Sequence, residues 1–282
     1  MTPAGAPGGT TGRSRPPGGG DGAAGSDEVA PPPLSLFALE SARARVEWLS
    51  LVVSQRLLDP PRGSGEPVLV LPGLLAGDEA TEPLRRILGG LGHVAHGWGL
   101  GVNVGPTAHI LDGLVARVLA LSEAARAERH DGRVQLVGIS LGGILARELA
   151  RQVPDHVGRV VTIGSPFRIV DHRQSRLAGV FQSLSHLHVS RERFDIFRQD
   201  ALPQHVPTTA VYSRSDGVVS WRACVEDPGT EAHESVEVHS SHTGMPYNPA
   251  TVYVVADRLA GDPAHWQPFR APTRLRHLYP AP

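Results

Sequence analysis

The sequence predicts an α/β protein: a mostly parallel sheet with helices on both faces and a helical cap inserted at one end. Three observations predict it. Short runs rich in Val, Leu and Ile alternate with stretches of three-to-four apolar spacing, the pattern of repeated β-α units. The run Pro67-Val68-Leu69-Val70-Leu71 is apolar throughout, as in parallel strands buried on both sides. A third run, Val134-Gln135-Leu136-Val137, leads straight into Gly138-Ile139-Ser140-Leu141-Gly142 and then a helical stretch. That order puts a serine at a cramped strand-to-helix turn.

Residues 1–33 are dominated by Gly, Pro, Ala, Ser and Thr and end in Pro31-Pro32-Pro33. Such a leader buries too little apolar surface to offset its ordering entropy, so disorder is predicted. It lacks the apolar stretch of a secretory signal, and Arg13-Ser14-Arg15 is not a twin-arginine pair. The expected location is the cytoplasm. Residues 34–63 read as a helix and linker. Leu36, Leu39, Arg43, Val46, Leu49 or Ser50, and Val53 keep the helical spacing over Ser35–Leu58, and Asp59-Pro60-Pro61 ends it. A helix of this kind packs on its domain or dips into a lipid interface; the charges of Glu40 and Glu47 favour packing.

The main domain is expected over 64–261, with a tail at 262–282. Within it, Pro67–Leu71 is a strand, Leu84–Gly90 a short helix and Val94–Trp98 a strand. Thr107 opens a helix whose apolar stripe is Ile110, Leu111, Leu114, Val115, Val118 and Leu119. After the Ser140 strand comes the helix Ile144–Gln152, then the strand Arg159–Ile163, closed by Gly164-Ser165-Pro166. Thr208–Ser213 and Ser235–His239 are two further strands, and Pro249–Ala260 is a closing helix. Ligands of such sheets gather at the carboxyl ends of the strands. Residues 168–206 break the alternation and are expected to lie over those ends as a cap. Phe181, Phe194 and Phe197 fall in it and Phe167 just before it. One or two of these rings are expected in the cap's own core, and the others in a pocket wall.

Composition narrows the function classes. The 282 residues are 40% hydrophobic and 20% charged, as in globular proteins with a substantial core. A net charge of -1, with no lysine at all, gives no electrostatic footprint for nucleic acid or an anionic membrane. Cys224 is the single cysteine, which excludes an intrachain disulfide and a thiolate metal cage. No apolar run approaches a membrane span, since Val68–Leu75 is short and interrupted by Pro72. His186-Leu187-His188 lacks a third ligand at usable spacing, so no metal is expected.

The chemistry-bearing residues follow the strands. Gly138 and Gly142 lack side chains that would collide at the turn carrying Ser140, and Gly143 lets the helix approach the strand. The helix N-terminus favours negative charge beside Ser140. A serine nucleophile needs a base and a group that orients the base. Asp216 lies in a turn after Thr208–Ser213 and His242 in a loop after Ser235–His239, giving the order Ser, Asp, His. Asp195 and Asp227 are alternative acids and His239 an alternative base, although His239 sits in an alternating strand pattern. For an oxyanion, backbone donors are expected from Leu141, the residue after the nucleophile, and from Leu74, in the Pro72-Gly73 turn.

Val68-Leu69-Val70-Leu71-Pro72-Gly73, Gly138-Ile139-Ser140-Leu141-Gly142-Gly143, Tyr212-Ser213-Arg214-Ser215-Asp216-Gly217 and His242-Thr243-Gly244-Met245 resemble the α/β-hydrolase superfamily, in its lipase-like serine esterase branch. The resemblance spans about residues 64–261. It implies a Ser–His–Asp triad, no cofactor, a cap shaping the acyl or alcohol site, and Trp98, Asn103 and Arg168 near the pocket beside Phe167. Many relatives carry His-Gly before the oxyanion donor where this chain has Pro72-Gly73. The expected activity is cleavage of a small or lipid-like carboxylic ester. Acyl transfer or thioester cleavage by the same three residues is the alternative within enzymes, and a catalytically silent binding protein the alternative outside them.

Overall fold

In the computed structural model, residues 30–128, 130–195, 206–227, 232–262 and 265–280 are described. Most of the leader and Phe197 of the cap lie outside the described residues.

Six parallel strands form one sheet: β1 (Pro67–Leu71), β2 (Val94–Gly97), β3 (Val134–Ile139), β4 (Val157–Ile163), β5 (Thr208–Tyr212) and β6 (His233–Glu237). Their order across the sheet is β2-β1-β3-β4-β5-β6. Leu69 pairs with His96 on one side and with Leu136 on the other. The chain therefore steps outward from β1 to β2, then returns to start β3 on the opposite flank of β1. Loops leaving β1 and β3 diverge at this reversal and open a crevice between them.

Side chains alternate across the strands, so β1, β3, β4 and β5 each feed two cores. Leu69, Leu71, Leu136 and Val160 pack with α3 (Ala108–Ala127) and α4 (Leu141–Gln152). Val68, Val70, Val137 and Val161 pack on the opposite face with α2 (Asp78–Gly90) and α6 (Pro249–Ala260). The long N-terminal helix α1 (Leu34–Leu58) joins this second core through Leu51 and Leu58. A short cap helix, α5 (Ala178–Ser183), lies between β4 and β5 in the chain.

Two differences from the sequence reading have plain causes. Helix α2 starts at Asp78, not Leu84, because Pro83 is tolerated inside its early turns. Asp78 also anchors that start, accepting the Trp98 and Gly99 N–H groups at 2.9 and 3.1 Å. The second concerns α1. It packs on the domain, but of the residues picked out by helical spacing Leu39, Val46, Leu49 and Val53 are exposed, Leu36 is half-buried and Arg43 turns inward. Its inward face carries the buried Glu40 and the half-buried Arg43 and Glu47 instead.

Candidate active site

Ser140 stands between β3 and α4 with φ 52° and ψ -120°, a conformation rarely adopted by a residue with a side chain. Holding it costs about 1–3 kcal/mol. The surroundings compel it: a Cβ at Gly138 would strike Gly143, and one at Gly142 would strike the carbonyls of Leu71 and Pro72. Only bare backbone lets strand, turn and helix meet so closely. The Ser140 N–H is tied to the carbonyl of Ile163 at the end of β4, 2.8 Å away.

Asp216 and His242 arrive from the loops after β5 and β6. His242 Nε2 lies 3.1 Å from Ser140 Oγ, and His242 Nδ1 lies 2.6 Å from Asp216 Oδ2. A carboxylate accepts only, so Nδ1 carries the ring proton of neutral His242 and Nε2 faces the serine hydroxyl as acceptor. Asp216 is buried, and its other oxygen accepts the N–H groups of Val218 and Val219, each at 2.8 Å. Burial pushes the His242 imidazole down. The charge and hydrogen bond of Asp216, with the charge of Glu40, outweigh it, so the pKa stands above the ordinary 6.5. Of the rival residues, Asp227 pairs with Arg168 at 2.6 Å, and His239 is exposed.

Leu141 opens α4, where first-turn amides have no intrahelical acceptor. Leu74 comes from the loop after β1, and both residues line one cavity with Ser140. Among the described residues, neither the Leu74 nor the Leu141 N–H has a hydrogen-bond acceptor. The Leu74 loop is braced from below. Asn103 Nδ2 donates to the Pro72 carbonyl at 2.8 Å, and the Leu75 N–H donates to the Asn103 carbonyl at 2.8 Å.

The cavity measures about 460 Å³, and its wall includes Ile144, Ile169, Leu177, Phe181, Val189 and Phe194. Phe181 and Phe194 thus divide from Phe167, which is buried in the main core under the Arg147 guanidinium, 3.9 Å from the ring centre. The four residues expected in the pocket are not brought to it. Trp98 is wholly buried and donates its indole N–H to the Gly101 carbonyl at 2.9 Å. Asn103 supports the Leu74 loop, Phe167 fills the core, and Arg168 turns to Asp227. All four follow strand ends, and each engages a partner away from the cavity: Gly101, Pro72, Arg147 and Asp227 respectively.

Three residues of α1 were not foreseen at this site. Glu40 Oε1 accepts the N–H of Gly217 at 2.9 Å and of His242 at 3.1 Å, and Oε2 accepts that of Thr243 at 2.9 Å. Glu47 accepts the Ser241 N–H at 2.7 Å and the Ser240 hydroxyl. Arg43 donates to the Ser215 carbonyl at 2.7 Å and to its hydroxyl at 3.0 Å. One helix face therefore holds both loops that carry Asp216 and His242. The signal in the sequence was the polar stripe Glu40, Arg43, Glu47 at three-to-four spacing.

No group of three His, Cys, Asp or Glu side chains able to hold a metal occurs among the described residues.

The sequence matches no protein-family model and no curated protein. Solved structures do resemble it. A mature lipase of Bacillus licheniformis is similar with a TM-score of 0.50 at 16% identity, over 72% of this chain and 95% of that one. An α/β hydrolase fold protein from Nakamurella multipartita is similar with a TM-score of 0.46 at 18% identity, over 70% and 93%. Lipase B of Aspergillus fumigatus follows with 0.46 at 16% identity, over 72% and 55%. The architecture is the α/β-hydrolase fold.

Proposed function

We propose that this α/β-hydrolase-fold protein is a serine hydrolase that cleaves carboxylic esters through Ser140, His242 and Asp216. The observation that carries the reading is the hydrogen-bonded chain from Ser140 Oγ through the His242 ring to Asp216, at 3.1 and 2.6 Å. In this reading Nε2 takes the hydroxyl proton as Oγ bonds to the ester carbonyl carbon. Asp216 keeps the ring in the required tautomer and stabilises the imidazolium. The carbonyl oxygen, now negative, accepts from the Leu74 and Leu141 N–H groups, whose orientation is fixed before reaction begins. His242 returns the proton to the departing alcohol, leaving Ser140 acylated. Water then attacks by the same steps, releasing the acid and restoring the serine.

The apolar wall of the cavity supports an acyl chain as the buried part of the substrate.

An ester panel of graded acyl length tests the reading, run on the wild type, Ser140→Ala and His242→Ala. Hydrolysis by the wild type with loss in both variants is expected. Activity surviving both substitutions would mean another site does the chemistry. Adding an alcohol acceptor to the same assay separates hydrolysis, which yields free acid, from transfer, which yields a new ester.

A further inference from the structure

We propose that the outward face of α1 docks the protein onto the surface of an anionic lipid assembly. Apart from Leu51 and Leu58, which join the core, and the half-buried Leu36, the large apolar side chains of α1 turn outward. Its carboxylates, Glu40 and Glu47, turn inward onto loop amides, while Leu39, Val46, Leu49, Val52, Val53 and Leu57 stand 49% to 78% exposed. Of the sixteen exposed large apolar side chains among the described residues, nine belong to α1. A contiguous patch of that kind on a globular surface marks an interaction face. Two of its hydroxyls are tied to the helix's own backbone: Ser50 and Ser54 donate to the carbonyls of Val46 and Ser50, at 2.8 and 2.7 Å.

The net charge of -1 gives the whole chain no attraction to an anionic membrane, so the local charges of α1 select the occupant. Glu40 and Glu47 are the only acidic residues of α1, and both are held against the body. Arg45 is exposed on the outer side. An apolar face with cationic and no anionic charge suits an anionic headgroup layer. The chain's own preceding residues do not suit the face, since 1–29 contain just two large apolar side chains, Met1 and Val29. No described helix is long and apolar enough to cross a membrane, so the geometry is that of a helix lying along the interface. Glu40 and Glu47 would oppose a lipid interface if they faced outward, but both are tied to the His242 and Ser241 amides on the inner side. The inference extends the proposed function in one respect: the helix that would meet lipid also holds the loops of Asp216 and His242.

The test is co-sedimentation of the full chain with phosphatidylcholine vesicles, with and without phosphatidylglycerol. Wild type and Ser140→Ala are expected to sediment equally with phosphatidylglycerol vesicles, so binding is read independently of the hydrolase assignment. Leu49→Glu/Val53→Glu is expected to weaken binding about tenfold or more, with circular dichroism confirming the fold. Arg45→Glu is expected to cost about fivefold on phosphatidylglycerol vesicles alone. Absence of wild-type binding, or binding unchanged in both variants, would overturn the proposal. So would a wild-type dimer by light scattering that becomes monomeric in the double variant without any vesicle binding, which assigns the face to a second copy of the chain.

Discussion

Glu40 accepts the backbone N–H of His242 at 3.1 Å, from a helix more than two hundred residues away in the chain. Its charge is also one of the influences that hold the His242 pKa above the ordinary 6.5. His242 must be neutral to accept a proton, so activity is expected to fall as pH drops through that raised value. Glu40→Gln keeps an acceptor oxygen and removes the charge, so the acid limb of kcat/KM should move to lower pH. Glu40→Ala also leaves three loop amides without their acceptor, at about 1–3 kcal/mol for each one that stays buried, and should lower Tm sharply. A pH profile and melting curves on both variants check this. An unmoved acid limb in Glu40→Gln would show that the carboxylate serves structure alone. The same sign governs stability: the raised pKa favours the folded chain at low pH, and that increment is lost as pH rises through it.

Asn103 acts on the reaction at one remove. Its side chain donates to the Pro72 carbonyl at 2.8 Å and accepts the Gly105 N–H at 3.1 Å, fixing the loop that presents Leu74. Asn103→Ala is expected to lower kcat about tenfold to a hundredfold with little change in KM, because a small displacement of an oriented donor is costly. Steady-state kinetics on the purified variant measure the split. A rise in KM at constant kcat would place Asn103 in ground-state binding instead.

Ala178 lines the cavity beside Leu177 and Phe181. Ala178→Phe narrows the space available to an acyl chain. Long-chain esters are expected to lose about tenfold or more in kcat/KM, while the shortest esters are little affected. The graded ester panel reports this directly, and equal losses at every length would remove the acyl chain from the cavity.

Arg147 and Glu226 form a buried ion pair, with the guanidinium also lying over Phe167. Glu226→Ala leaves that cation buried without its partner and is expected to destabilise the fold by about 3–5 kcal/mol. Arg147→Met/Glu226→Leu removes both charges and should recover much of the loss. Denaturant unfolding of the three proteins tests the pairing, and a double variant no better than Glu226→Ala would contradict it.

Most of the architecture was legible because it rests on local pattern. The apolar runs at Val68–Leu71 and Val134–Val137 read as strands and are strands β1 and β3. The glycines around Ser140 read as a cramped turn, and its positive φ is that turn. Side-chain destinations were harder. Trp98, Asn103, Phe167 and Arg168 lie at strand ends as expected, yet Gly101, Pro72, Arg147 and Asp227 draw them elsewhere. Those partners are distant or nonperiodic, and no spacing rule encodes them. The face of α1 misled for a related reason. Apolar spacing normally points inward, but here loop amides donate to Glu40 and Glu47 on the inner side, and the Ser215 carbonyl and hydroxyl accept from Arg43.

The most direct measurement is covalent labelling by a fluorophosphonate, which reacts with a serine activated by a neighbouring base. Stoichiometric labelling of the wild type at Ser140 is expected, faster above the His242 pKa than below it, with none in Ser140→Ala and strong suppression in His242→Ala. An unlabelled wild type, or a label mapped by mass spectrometry to another residue, would contradict it.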